Sequence, residues 1–259
     1  MQVILHTPDR EGEALTRARK GEPGGQALAS VPLTIQVRRN DNIKVSVECV
    51  DATIPEPMQT AVWNGRLVCL YFTMQMPNVE LIVRAKLRIF VSGVPAGNLV
   101  FKILVRQNPP DLPLSPATET ARTYRKSFLS YASEDRVEVL KAAQLLRVYK
   151  INFFQDVLDL SPGERWKRRL YAEIDDCDLF VLFWSRHAQQ SEWVIREAEH
   201  ALERAKAAPG GDGPPEIRPY PLEVPLPLPP VSLEDIHFND PIRFIISAEE
   251  RVTSAMGGP

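Results

Sequence analysis

Leu179-Phe180-Val181-Leu182-Phe183-Trp184 is an unbroken apolar run, bounded by Asp178 and Ser185. Six apolar residues in succession leave no polar face, so the segment reads as a strand covered on both sides, as strands of parallel sheets are. The flanking periodicity agrees. Upstream, Trp166, Leu170 and Ile174 recur four apart, on one face of a helix. Ser161-Pro162-Gly163-Glu164 announces that helix: serine can cap, proline is tolerated at the first helical position, and glutamate three residues on can reach back. Downstream, Ser191 caps a further helix expected to reach Ala207. Ser127–Tyr131 and Asn152–Phe154 read as short strands around a helical face of Val137, Leu140, Ala143 and Leu146. A strand is expected at Ile217–Val224, inside the loop-like, proline-rich Pro209–Pro230, and a last short element at Phe238–Ile246. Such strand–helix alternation predicts parallel βαβ units with right-handed crossovers.

The N-terminal half follows another rule. Ile43, Val45, Val47 and Cys49 alternate with Lys44, Ser46 and Glu48, and Val79 to Val91 alternates with mostly polar partners. Period two describes strands with one face on a core. Leu33–Val37, Leu67–Thr73 and Leu99–Val105 are further candidates, with turns at Asn64-Gly65, Pro77-Asn78 and Ser92-Gly93 through Gly97-Asn98. The charged segment with Gly21, Gly24 and Gly25 reads as a loop, and no helix is evident in this half. A small all-β, sandwich-like domain is expected over 1–107. Asn108-Pro109-Pro110 to Pro116-Ala117-Thr118 reads as a stiff linker, placed at 108–123, because proline lacks a donor and cannot join a sheet interior. The α/β domain then occupies 124–250.

Composition sets bounds. The chain has 259 residues, 44% apolar and 25% charged, which suits a folded globular protein. A net charge of −2 gives no global basic field, so binding to nucleic acid or an anionic membrane would need a local patch, and neither partner is expected. No apolar run reaches the ~18–20 residues of a membrane span, and the first residues lack a basic flank and apolar core, so no signal peptide is read. Cys49, Cys69 and Cys177 show no CxxC or Cys/His spacing, so neither a disulfide framework nor a metal site is expected. A reducing cytoplasm is the default location.

Open parallel sheets bind ligands beyond the C-terminal ends of their strands, here after Tyr131, Phe154 and Trp184. The glycine-rich phosphate cradles G-x-G-x-x-G and G-x-x-x-x-G-K-S/T are both absent. A strand ending in Trp184-Ser185 rather than aspartate fits a phospho-receiver poorly.

Four stretches taken in order resemble the TIR family, bacterial type, over residues 126–246. They are Lys126-Ser127-Phe128-Leu129-Ser130-Tyr131-Ala132-Ser133-Glu134-Asp135; Phe154-Gln155-Asp156 with Leu160-Ser161-Pro162-Gly163-Glu164-Arg165-Trp166; Asp178 through Ser185; and Ser191-Glu192-Trp193-Val194-Ile195-Arg196-Glu197. Ile217–Leu222 fits the last core strand. The resemblance implies a flavodoxin-like parallel sheet. It also implies one of two functions: NAD+ glycohydrolase activity switched on by self-association, as in bacterial immune signalling, or a non-enzymatic adaptor acting through TIR–TIR contacts at the BB loop and the helix beginning at Ser161. By the same resemblance Glu197 is the essential carboxylate. Trp166 stacks on the substrate, and Trp193, Tyr131, Asp156 and Ser161 are the other binding candidates. NAD+ would be substrate, with no resident cofactor. The N-terminal β module would sense, recruit or oligomerise, with a protein partner of its own.

The chemistry stands apart from the resemblance. Cleaving a ribosyl–nicotinamide bond develops positive charge on the sugar, as glycoside hydrolysis does. Nicotinamide leaves neutral, so one carboxylate beside the ribose and an aromatic wall suffice. Trp193 and Glu197, four apart, share a helical face, and Val194, Ala198, Ala201, Leu202 and Ala205 place Glu197 near the edge of the buried stripe. Plainer readings stand beside these: Glu197 as a solvated helix glutamate, Trp166 and Trp193 as packing, Ser161 as a cap, Tyr131 as half-buried. Glu134 and Asp135 suit the positive end of the next helix, and His187 has no evident acidic or cysteine partner.

Overall fold

The computed structural model describes residues 1–21, 32, 36–105, 118–148, 152–155, 166–208, 213–234, 236 and 238. The chain divides into two units, Met1–Thr123 and Tyr124–Pro259.

In the first unit, β1 (Gln2–Leu5) pairs antiparallel with β4 (Val68–Tyr71). A five-stranded antiparallel sheet runs β3 (Met58–Val62), β2 (Asn42–Cys49), β5 (Leu81–Val91), β6 (Val94–Val105), β7 (Thr118–Thr123). Alternation fixes the register. Ile43, Val45 and Val47 lie opposite Val91, Ile89 and Leu87, and the core they form with Ala85, Phe101, Leu70 and Phe72 also takes Val3 and Leu5. Two sheets share one apolar layer, which is the expected sandwich-like arrangement.

Three readings of this half are corrected. A helix, α1 (Glu11–Gly21), follows β1; Glu11 and Glu13 sit in its first turn and Arg19 and Lys20 in its last, each end complementing the helix dipole. Thr118–Thr123, assigned to the linker, is β7 on the edge of the sheet, where three threonines and no proline suit extended backbone. The turn between β5 and β6 is only Ser92-Gly93, both with positive φ (46° and 82°). Gly97-Asn98 lies within β6. Gly97 has a packing cause there: a Cβ on it would come within 2.5 Å of the Arg122 carbonyl oxygen on β7. Of Leu33–Val37, residues 33–35 lie outside the described residues.

The second unit is a four-stranded, wholly parallel sheet in the order β11 (Glu216–Pro221), β10 (Leu179–Trp184), β8 (Lys126–Ser130), β9 (Asn152–Gln155). Read from the first strand, the order is 2-1-3-4, as in flavodoxin-like sheets. All six residues of β10 are buried, so the apolar run has cover on both faces. Phe154, Phe128 and Phe180 fall opposite one another on three adjacent strands, and their rings stack at 5.6 and 5.4 Å. Burying each such ring contributes about 1.5–3 kcal/mol.

Among the described residues four α-helices pack in this unit: α2 (Arg136–Val148), α3 (Trp166–Asp176), α4 (Arg186–Gln190) and α5 (Glu192–Ala207). Leu170 and Ile174 of α3 and Val194, Ala198 and Ala201 of α5 enter the same core as Phe128, Phe180, Leu182 and Trp184. Arg204 of α5 donates to the carbonyls of Ile174 and Cys177 at 2.8 Å, satisfying acceptors at the end of α3. The N-terminal ends of the strands are tied by polar contacts: Asp178 accepts the backbone N–H of Arg125 and Lys126, and Lys126 pairs with Glu173 and Asp176 at 2.6 Å. Except for Phe238, the segment Phe238–Ile246 lies outside the described residues. Among the described residues no helix is long and apolar enough to cross a membrane.

Candidate functional site at the C-terminal ends of the strands

The centre of the candidate site is a buried pair. β8 ends at Ser130, opposite Leu182 on β10. Its hydroxyl donates to Glu197 Oε2 at 2.6 Å, and the two residues are 1% and 5% exposed. Glu197 is carried by α5, whose first turn is fixed by Ser191: the serine Oγ accepts the N–H of Val194 at 3.4 Å. Four residues on from Trp193, Glu197 falls on the stripe that α5 buries with Val194, Ala198 and Ala201. The sequence reading put it at the edge of that stripe; the fold puts it inside. A carboxyl so placed needs hydrogen-bond partners, since an unsatisfied buried one is costly, and Ser130 supplies one at the strand end.

The other expected site residues divide into two groups. Tyr131, the residue after β8, is buried. Trp193 is half-buried in the first turn of α5, with the Arg196 guanidinium 5.6 Å from its ring centre. Trp166 begins α3, but its side chain lies outside the described residues, as do Asp156 and Ser161. The strand end therefore brings Ser130, Tyr131 and Glu197 to one region, and the fold leaves the loop candidates unassigned.

One constellation escaped sequence reading. Asp135, in the turn after β8, takes the Ser185 hydroxyl on Oδ2 and lies 2.9 Å from His187 Nδ1 through Oδ1. His187 thus has an acidic partner 52 residues away, which its sequence neighbours did not disclose. That hydrogen bond raises the His187 pKa; the charges of Asp135, Glu134 and Glu223 add to it, and partial desolvation opposes it. Ser185 also caps α4, accepting the Ala188 N–H at 3.0 Å. The only advance signal was the position of Asp135 and Ser185 just beyond two adjacent parallel strands.

A separate cavity of about 320 Å3 is lined by Lys126, Asn152, Phe153, Phe154, Arg169 and Glu173. Lys126 and Asn152 open β8 and β9, so it lies at the opposite end of these strands from Glu197. Among the described residues no group of three His, Cys, Asp or Glu side chains is placed to hold a metal ion.

Residues 128–247 match the family model described as TIR domain. The C-terminal unit is accordingly a TIR domain. Among solved structures, the crystal structure of the TIR domain of the Toll-related receptor TRR-2 from Hydra magnipapillata is similar at 15% identity and a TM-score of 0.37, covering 52% of this chain and 100% of that one. No curated relative matches the chain.

Proposed function

We propose that the TIR unit hydrolyses NAD+ at the bond between nicotinamide and ribose, with Glu197 as the essential carboxylate. The observation that carries this reading is a carboxyl side chain, 5% exposed, at the C-terminal end of a central parallel strand and oriented by the Ser130 hydroxyl. In such a position a carboxylate faces positive charge developing on the ribose with little competition from water. The anomeric C–N bond breaks with its electrons going to the nicotinamide nitrogen, nicotinamide leaves neutral, and water adds to the sugar with loss of a proton. Ser130 fixes which carboxylate oxygen is turned away from the sugar. Tyr131, the residue after β8, and Trp193, one helical turn before Glu197 on α5, supply the aromatic side chains.

A second reading has its own observation. With only 5% of Glu197 exposed, a substrate reaches the carboxylate only after the surroundings open. A TIR unit that stays closed would act as a non-enzymatic adaptor, signalling by TIR–TIR contact. Under the enzymatic reading self-association is the event that opens and completes the site. Chromatography of NAD+ incubated with wild-type protein and with Glu197→Gln separates the two. The enzymatic reading expects nicotinamide and an ADP-ribose product from wild type and a loss of about 100-fold or more in the variant. The adaptor reading expects no nicotinamide from either.

A further inference from the structure

The loops that follow β8 and β10 are joined through one side chain. Asp135 receives the Ser185 hydroxyl on one carboxylate oxygen and His187 Nδ1 on the other. Ser185 is at the same time the cap of α4, so its hydroxyl both donates to Asp135 and accepts from Ala188. Asp135 is nearly buried, its side chain 10% exposed, whereas His187 is 55% exposed and open to proton exchange with water. The charged groups acting on His187 are Asp135 and Glu134 after β8 and Glu223 after β11, while Arg186 precedes it on the same helix. Arg186 is itself engaged, its backbone N–H on Glu223 Oε1 and its Nε 3.8 Å from Glu223 Oε2. Three carboxylates thus act on the imidazole, and Arg186, its neighbour in sequence, is held by one of them.

We propose that Asp135 and His187 form a proton-dependent latch that ties the turn after β8 to the first turn of α4, tight when His187 is protonated and looser when it is neutral. The neutral ring keeps an N–H for Asp135, so the contact weakens rather than breaks; a charge-assisted hydrogen bond is roughly twice as strong as a neutral one. The sign follows from linkage. The folded-state pKa of His187 lies above its unfolded value, so the extra stabilisation is complete below about pH 6.5 and is lost as pH rises through the folded value. The loop after β8 starts one residue beyond Ser130, so the latch acts on the chain that leaves the Ser130–Glu197 pair. It rests on the geometry of Asp135, Ser185 and His187 and stands whether or not the unit cleaves NAD+.

Hydrogen exchange read by mass spectrometry on the full chain tests this, at about pH 6 and about pH 8.5 with the intrinsic exchange rates divided out. Protection of peptides covering 132–136 and 185–190, relative to β10, is expected to fall about threefold at the higher pH, in keeping with a half-exposed ion pair. His187→Gln, which cannot gain the charge, is expected to show no such change. Asp135→Asn is expected to lower protection of both segments at the lower pH and to bring the His187 titration, followed by NMR, down towards the ordinary histidine value. Equal relative protection of wild type at both pH values overturns the latch, as does a wild-type response in His187→Gln. Were His187→Gln to disturb folding, seen by circular dichroism, the wild-type and Asp135→Asn comparison decides alone.

Discussion

At the scale of single residues, the Ser130–Glu197 hydrogen bond determines what the α5 carboxyl can do. Ser130 is 1% exposed, so no water replaces its hydroxyl cheaply when it is removed. Ser130→Ala is expected to lower unfolding stability by about 1–3 kcal/mol in urea titrations, the cost of depriving a buried carboxyl of a donor. It is also expected to cut NAD+ turnover mainly through kcat, because it misplaces the carboxyl without touching the substrate. Loss of stability with unchanged turnover would assign Ser130 to folding alone. Cys177 gives an independent check on the core. Burial pushes its thiol up to about 12, so little thiolate forms near neutral pH. Alkylation mapped by mass spectrometry is expected to leave Cys177 unlabelled in native protein and to label it fully in denaturant. Labelling at equal rates in both states would contradict the packing described.

At the scale of elements, the sharpest constraint is Gly97 in β6. A methyl group there would press on the Arg122 carbonyl oxygen at 2.5 Å, and backbone on a paired strand yields poorly. Gly97→Ala is expected to destabilise the first unit by about 1–3 kcal/mol, seen as a lowered melting temperature; an unchanged value would mean that β7 does not pair at this register. The same residue explains why sequence reading went astray. Glycine beside asparagine announces a turn, and only the approach of β7, invisible locally, converts the pair into strand. β10 was legible because six apolar residues admit one reading, and α5 because Ser191 and the spacing of Val194, Ala198 and Ala201 agree. α1 was not, since among Glu11–Gly21 only Ala14 is buried and a weak apolar face leaves little periodic signal. Asp135 and His187 could not be matched from sequence because they lie 52 positions apart and only the parallel pairing of β8 with β10 brings them together.

At the scale of the whole molecule, each unit has its own apolar core, one between two antiparallel sheets, one around a parallel sheet with helices. The change in hydrophobic period, from two to a helix–strand alternation, is what separated them in the sequence; the prolines fall before β7, which still belongs to the first sheet. What the sequence left open was the state of the carboxyl at position 197. Side-chain burial depends on how α5 is rotated against β8, and spacing alone fixes that only to within the width of a helical stripe. With Glu197 buried against Ser130, turnover by an isolated copy is expected to be slow and to rise when copies associate. The most direct measurement is the initial rate of nicotinamide release from NAD+ across a wide range of protein concentration, for wild type and Glu197→Gln side by side. The account predicts a wild-type rate that climbs more steeply than protein concentration and a variant at least about 100-fold lower throughout. Equal rates from the two proteins, or no release from wild type at any concentration, would contradict it.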